Sequence, residues 1–349
     1  MNDVQGARVH ENANVERKSA FMRRRGGAMR FVLQRLALFV VTLLGVSVLV
    51  FAALRVLPGD MAQLMAGMNS TPGRVASIRK SMGLDRPVFE QYTGWLWGLM
   101  HGDFGMSMLT GRAIAATVKT RASVTFPLIA LGLLAAMVIG LVFGYEATMS
   151  HRPAVRVMFH LLALVGGAIP ALWGGLLLIL LFSKGMGIIG LFPSQGFPAS
   201  GWRQPVQALS SLALPALTVG IIDGATLMRY TRSALTELLS SDVIAMTMAS
   251  GYTRRQAMVR VGFRLALPQL VSVTGLLFAS MVTGVMVIEN LFALPGIGYG
   301  LVTDLGNRDL IAVQSELFML AAFFLFVGFI VDVIHRLLDP RMRHPEQEG

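Results

Sequence analysis

The chain is 349 residues long, 54% hydrophobic and only 14% charged, with a formal charge of +11 at neutral pH. Soluble domains carry about 25% charged residues, so this composition excludes an ordinary water-soluble fold. Cysteine is absent, which excludes a disulfide framework and a thiolate metal site and leaves the redox compartment unread.

The apolar residues gather into runs long enough to cross a hydrocarbon core, which takes about 20 residues of helix for a thickness of about 30 Å. The sequence therefore predicts an all-α, polytopic membrane protein. Its basic residues flank the apolar runs instead of decorating aromatic-studded polar stretches, so topology explains the positive charge better than nucleic-acid binding does.

Residues 1–28 are polar and lack apolar periodicity, which predicts a disordered cytoplasmic extension and leaves Met29 as an alternative start. The first apolar run, 36–57, is longer than a signal-peptide core of about 7 to 15 residues and has no small-residue cleavage site, so it reads as a retained first span. Arg17, Lys18, Arg23, Arg24, Arg25, Arg30 and Arg35 stand before or within its start, and the positive-inside rule holds that end in the cytoplasm. Pro58 and Gly59 end the helix, and the mixed, polar stretch 58–121 is expected outside.

Core spans are expected within 123–336. The second covers 123–145 and is followed by a basic turn from His151 to Arg156, and the third covers 157–182. The fourth, 206–228, is interrupted by Pro215 and Asp223, after which 229–268 carries Arg229, Arg232, Arg254, Arg255, Arg260 and Arg264 against Glu237 and Asp242. That stretch is expected to be a cytoplasmic loop. The fifth span covers 269–291, an external turn 292–310, and the sixth span 313–334, with Arg336, Arg341 and Arg343 keeping the C-terminus inside. Six spans thus place both termini in the cytoplasm.

In the second span Gly132, Ala136, Gly140 and Gly144 recur every fourth residue, which lines small side chains along one stripe where another helix can approach closely. Gly275, Ala279, Ser280 and Gly284 repeat the device in the fifth span. Both are read as helix packing.

No H-E-x-x-H, G-x-S-x-G or G-x-x-x-x-G-K-[ST] motif is present, so the sequence offers no catalytic constellation and no cofactor. The histidines are dispersed, and His160, in an apolar span, reads as packed or interfacial in preference to metal-bound. The glycine run 296–300 follows a span and is expected to form a tight bend. Charge at bilayer depth is costly, about 2.5 kcal/mol or more, and often marks a pathway. Asp223 is the candidate pathway residue on that ground, whereas Glu289, Glu316 and Asp332 fall near span ends and are expected to reach water or pair helices.

In the loop, Asp242 to Ser250 can form a short helix stopped by Gly251, the residue best able to take a left-handed cap, and a second basic helix follows from Thr253 to Leu267. Such a helix-turn-helix can dock on a soluble partner, and the same charges equally suit a loop held by anionic head groups.

At this loop the chain resembles the coupling loop of ABC importer permeases, a small-residue segment, a glycine and a later Leu-Pro pair, here Leu267 and Pro268. Further segments are similar to the oligopeptide and dipeptide (B-type) permease subunits: Leu57-Pro-Gly-Asp60, Gly83-Leu-Asp-Arg-Pro87 with Glu90-Gln-Tyr92, Gly102-Asp-Phe-Gly105 with Ser107, Glu289-Asn-Leu-Phe292, Leu294-Pro-Gly-Ile-Gly298, Arg308-Asp309 and Asp339-Pro-Arg-Met-Arg343. They cover nearly everything after Met29, so 29–349 is expected to be one transmembrane domain. The chain departs from the family pattern at Ala245, Met248 and Ser250, where basic side chains are usual.

The resemblance implies a type I importer fold in the bacterial inner membrane. It also implies a second (C-type) permease, two cytoplasmic ABC ATPases and an external solute-binding protein as partners, with a peptide or similar small solute as cargo. It places Asp242, Ala245, Thr247, Met248, Ala249, Gly251, Arg254 and Arg255 in the contact with the ATPase. The competing reading is a proton-coupled secondary transporter using Asp223; a membrane enzyme lacks any constellation.

Overall fold

The computed structural model describes residues 29–338, apart from 56–60, 68–69, 82 and 108–109. The predicted extension 1–28 and the motifs at 57–60 and 339–343 lie outside the described residues.

The first span is helix α1, Met29–Arg55. Three short helices follow: α2 (Met61–Ala66), α3 (Pro72–Ser81) and α4 (Val88–Met100). The second span, Ile114–Met149, runs as α5 (Ile114–Val138), a π-turn (Ile139–Phe143) and α6 (Gly144–Met149). Then come α7 (Pro153–Ala168), α8 (Ala171–Phe182), α9 (Pro205–Leu239) and α10 (Asp242–Ala249). The span Arg254–Leu291 comprises α11 (Arg254–Ala257), a second π-turn (Met258–Gly262) and α12 (Phe263–Leu291). The chain closes with α13 (Ile297–Gly306) and α14 (Leu310–Leu338). Among the described residues five helices are long and apolar enough to cross a membrane, and a sixth crossing requires α7 and α8 together.

That pair corrects the predicted third span, because α7 and α8 meet at a bend of 114°. Pro170 is the reason: it has no amide to donate and pushes Ile169 out of the helical region, to φ −76° and ψ 122°. Pro215 and Pro268, by contrast, lie inside α9 and α12, where flanking helices hold the backbone through the missing bond. The fourth and fifth spans therefore extend well into the predicted loop, α9 to Leu239 and the next helix back to Arg254. The charged residues that follow Met228 do not end the helix. The second span likewise begins at Ile114, inside the stretch assigned to the exterior.

Helix α9 is the central post, packed by α5, α7, α8 and α12. Leu128 and Ile129 of α5, Leu212 and Val219 of α9, Met281 and Ile288 of α12 and Phe292 form the buried apolar core. The small-residue stripe makes the closest crossing: a Cβ at Gly140 would stand 2.5 Å from the Leu227 Cβ, one at Gly144 2.6 Å from the Thr231 Cβ, and one at Gly220 2.5 Å from the Ala135 Cβ. The stripe is helix packing, as its spacing predicts. In α12 only part of the repeat is used so, Gly275 facing Val331 while Gly284 faces open space.

Helix α1 lies at the periphery, joined to α14 by the Arg35–Asp332 ion pair at 3.1 Å and by Phe39 against Phe329. It meets α4 through Ser47 and Tyr92, whose hydroxyls lie 2.8 Å apart, and through Arg55, which donates to Gln91 Oε1. The motif around Glu90, Gln91 and Tyr92 is thus a clamp between α1 and the segment that follows it.

Candidate functional site

Two polar regions stand out at opposite ends of the long helices. The first is the loop between α9 and α12. Ser241 breaks α9 in an extended conformation and Asp242 opens α10, its carboxylate favourably placed against the helix N-terminus. Ile244 is fully buried, set against the π-turn beside Gly262 and Met258, so α10 is pinned to the base of the bundle by one side chain. The rest of the helix is open: Val243 and Met248 are exposed, as are Asp242, Ala245 and Ala249, and Met246 is 73% exposed. Thr247 is half-buried and donates to the Val243 carbonyl.

Gly251 ends this helix at φ 93°, the left-handed conformation that its position in the sequence predicts, and its amide donates to the Met248 carbonyl at 2.9 Å. A Cβ there would meet nothing within 4 Å, so backbone conformation and not crowding selects glycine. Thr253 then starts α11 with a reciprocal cap, its hydroxyl accepting from the Gln256 amide while the Gln256 side chain accepts from the Thr253 amide. The turn between the two helices is fixed at both edges.

The neighbouring arginines Arg254 and Arg255 differ. Arg254 is exposed. Arg255 turns back to the bundle, donating to Glu146 at 2.9 Å and to the Tyr145 hydroxyl at 3.3 Å, and so ties α11 to the end of the second span. Arg255 is exposed and Glu146 half-exposed, so solvent screens the pair and it adds little to stability; its effect is to tie the loop to the bundle.

The second region, at the other end, is buried. Glu289 near the end of α12 is fully buried and accepts from the Thr125 hydroxyl at 2.6 Å and from the Tyr299 amide at 3.1 Å. Thr125 in turn accepts from the Ile297 amide at 2.8 Å. Beside them Arg121 pairs with Asp304 at 2.5 Å and with Glu316, which is fully buried on α14. Ser107 donates to Asp309 at 2.5 Å, joining the segment after α4 to the start of α14.

These contacts decide one expectation and correct another. Of the two alternatives for Glu289 and Glu316, reaching water or pairing helices, the second holds: each is buried with partners on other helices. The glycine run 296–300 is not a tight bend but the N-terminus of α13, and its glycines leave room for the polar groups: a Cβ at Gly296 would overlap the Glu289 carboxylate, and one at Gly300 would stand 2.5 Å from the Arg121 guanidinium. The motifs at 289–292, 294–298 and 308–309 are thus the parts of one buried lock between α5, α12, α13 and α14. Arg121 and Thr125 went unnoticed in the sequence because their acidic partners lie more than 160 positions away; a basic residue among the first turns of an apolar helix was the available signal.

Asp223, on the middle helix α9, is half-buried and has no hydrogen-bond or ion-pair partner among the described residues. It is brought together with neither region. Among the described residues no three His, Asp or Glu side chains are grouped so as to hold a metal ion.

A peripheral first helix, a bundle around one central post and a pinned two-helix loop at its base are the features of a multi-pass transport subunit. Residues 132–344 match the model of the binding-protein-dependent transport system inner membrane component, and residues 28–128 match the N-terminal model of the same membrane component. The chain belongs to this family: it is a permease subunit of an ABC transporter in the bacterial inner membrane, not an enzyme with its own ATPase site. A putative peptide transport system permease protein of Brucella abortus (strain 2308) is 33% identical over 313 residues, spanning 90% of this chain and 98% of that protein. The dipeptide transport system permease protein DppB of Escherichia coli (strain K12) is 30% identical over 336 residues, spanning 90% and 99%. The glutathione transport system permease protein GsiC of Salmonella paratyphi A is 30% identical over 316 residues, spanning 90% and 99%.

Proposed function

We propose that this subunit forms half of the translocation path for a peptide or similar small solute delivered by an external solute-binding protein. In this reading a C-type permease completes the path, both termini are cytoplasmic, and two ABC ATPases drive the cycle through the loop around Gly251. The observation that carries it is the construction of α10, pinned by one buried side chain, Ile244, with the apolar side chains of Val243, Met246 and Met248 left exposed around it. A surface of that kind suits an adaptable contact with a soluble partner. Asp242, Ala245, Ala249 and Arg254 are exposed as well and Thr247 is half-buried, while Arg255 holds the loop to the bundle.

Nucleotide-driven closure of the ATPases would displace α10 as a rigid unit and tilt α9 and α12, which flank it in the chain, to alternate access between the two sides. The peptide relatives of 30% identity or more support the cargo class. The test is to purify the chain under mild detergent with its neighbours and measure uptake into vesicles. The reading expects a complex containing two ATPases and a second permease, and peptide uptake that stops when ATP is removed. Uptake that continues without ATP and collapses with a proton uncoupler would overturn it in favour of a carrier using Asp223.

A further inference from the structure

A cleft of about 490 Å³ opens between α6, α7 and α9. Its wall carries His160 of α7 and Arg229, Arg232, Ser233 and Thr236 of α9, with Glu237 as the acid among the lining residues. Arg232 donates to His160 Nδ1; because a guanidinium can only donate, the ring must accept there, which leaves its proton on Nε2. The Arg229 guanidinium passes over Gly167 of α7. Neither arginine has a carboxylate within ion-pairing distance among the described residues.

The cleft begins where the apolar stretch of α9 stops at Met228, and Leu161 and Leu164, next in sequence to the lining residues His160 and Ala163 of α7, are exposed. Arg229 is exposed and Arg232 half-buried, so two guanidinium groups without a carboxylate partner are open to an anion at the end of the apolar stretch, where apolar side chains beside them suit hydrocarbon chains. We propose that this cleft binds the phosphate diester of an anionic phospholipid, with Arg229 and Arg232 on the phosphate, Ser233 and Thr236 donating to its remaining oxygens, and the acyl chains lying along α7. A lipid held there would wedge α7 against α9 and so set the rest position of the bent α7–α8 pair.

The experiment uses the full-length chain with its partner subunits in phosphatidylcholine nanodiscs titrated with labelled phosphatidylglycerol. Arg229→Gln with Arg232→Gln is expected to weaken saturable binding roughly tenfold or more. Ser233→Trp, which fills the cleft and keeps both charges, is expected to abolish it, so that loss of binding does not depend on one variant folding. Equal binding by both variants and the wild type overturns the proposal. Displacement by millimolar inorganic phosphate overturns the lipid assignment in favour of a free-anion site. Displacement by a peptide with a free C-terminal carboxylate, but not by its amide, overturns it in favour of a cargo site.

Discussion

Thr125 on α5 donates to the Glu289 carboxylate on α12 across 164 positions of sequence, and both side chains are buried. The same hydroxyl accepts the Ile297 amide that opens α13, so one threonine satisfies two polar groups that have no access to water. Thr125→Val keeps the shape and orphans the Ile297 amide and one oxygen, Oε1, of the Glu289 carboxylate, whose other oxygen still accepts from the Tyr299 amide. Each buried unsatisfied group costs about 1 to 3 kcal/mol, so the variant is expected to lose several degrees of thermal stability in detergent. Thr125→Ser should recover most of it. Equal melting of the valine variant and the wild type would show that α13 is held by packing alone.

The crossing of α5 and α9 gives a graded test of the small-residue stripe. Gly220→Ala sets a methyl against the Ala135 Cβ, with the Gly132 carbonyl 3.2 Å away on the same side. Helix backbone cannot yield cheaply there, and overpacking of this kind costs about 1 to 3 kcal/mol. Gly284→Ala, facing open space in α12, is expected to be neutral or to gain up to about 1 kcal/mol in helix propensity. Yield and thermal stability of the two purified variants check the difference; similar losses in both would mean that α12 is covered by a partner at Gly284.

Much of this architecture is legible in the sequence because apolar runs and small-residue spacing are local signals. The first, second, fourth, fifth and sixth spans follow directly from hydropathy, and Gly251 from the end of a short helical pattern. The break at Pro170 was visible in principle, but the apolar run continues straight through it, and hydropathy does not register direction. Pro215 and Pro268 show the converse: the same residue type sits within an unbroken helix where neighbours support it. The buried lock was illegible for a different reason. Arg121, Asp304 and Glu316 become partners only when α5, α13 and α14 are assembled, and an acid near a span end looks the same in sequence whether it faces water or an arginine.

The arginine distribution predicts sidedness. Tags at either terminus and beside Arg254 are expected to be cytoplasmic, and tags near Arg74 and Gln195 external. Protease accessibility in spheroplasts, compared with inverted vesicles, reads this directly. An external tag at Arg254 would remove the loop from reach of any cytoplasmic ATPase and defeat the coupling assignment along with the topology.

Gly251 gives the sharpest test of coupling. Its φ of 93° lies in a region that a β-branched residue adopts at a cost of about 1 to 2 kcal/mol, and the open space around it leaves no steric contribution to confuse the result. Gly251→Val is therefore expected to distort the turn between α10 and α11 while the spans insert and the partner permease still copurifies. Transport should fall sharply, and stimulation of ATPase activity by loaded binding protein should be lost. Met248→Ala removes an exposed thioether from α10 and leaves the turn intact, so its defect should lie in affinity for the ATPase. Raising ATPase abundance then separates the two, with uptake partly rescued in Met248→Ala and scarcely changed in Gly251→Val. Normal transport by Gly251→Val would show that the left-handed turn is incidental and that coupling passes through another part of the molecule.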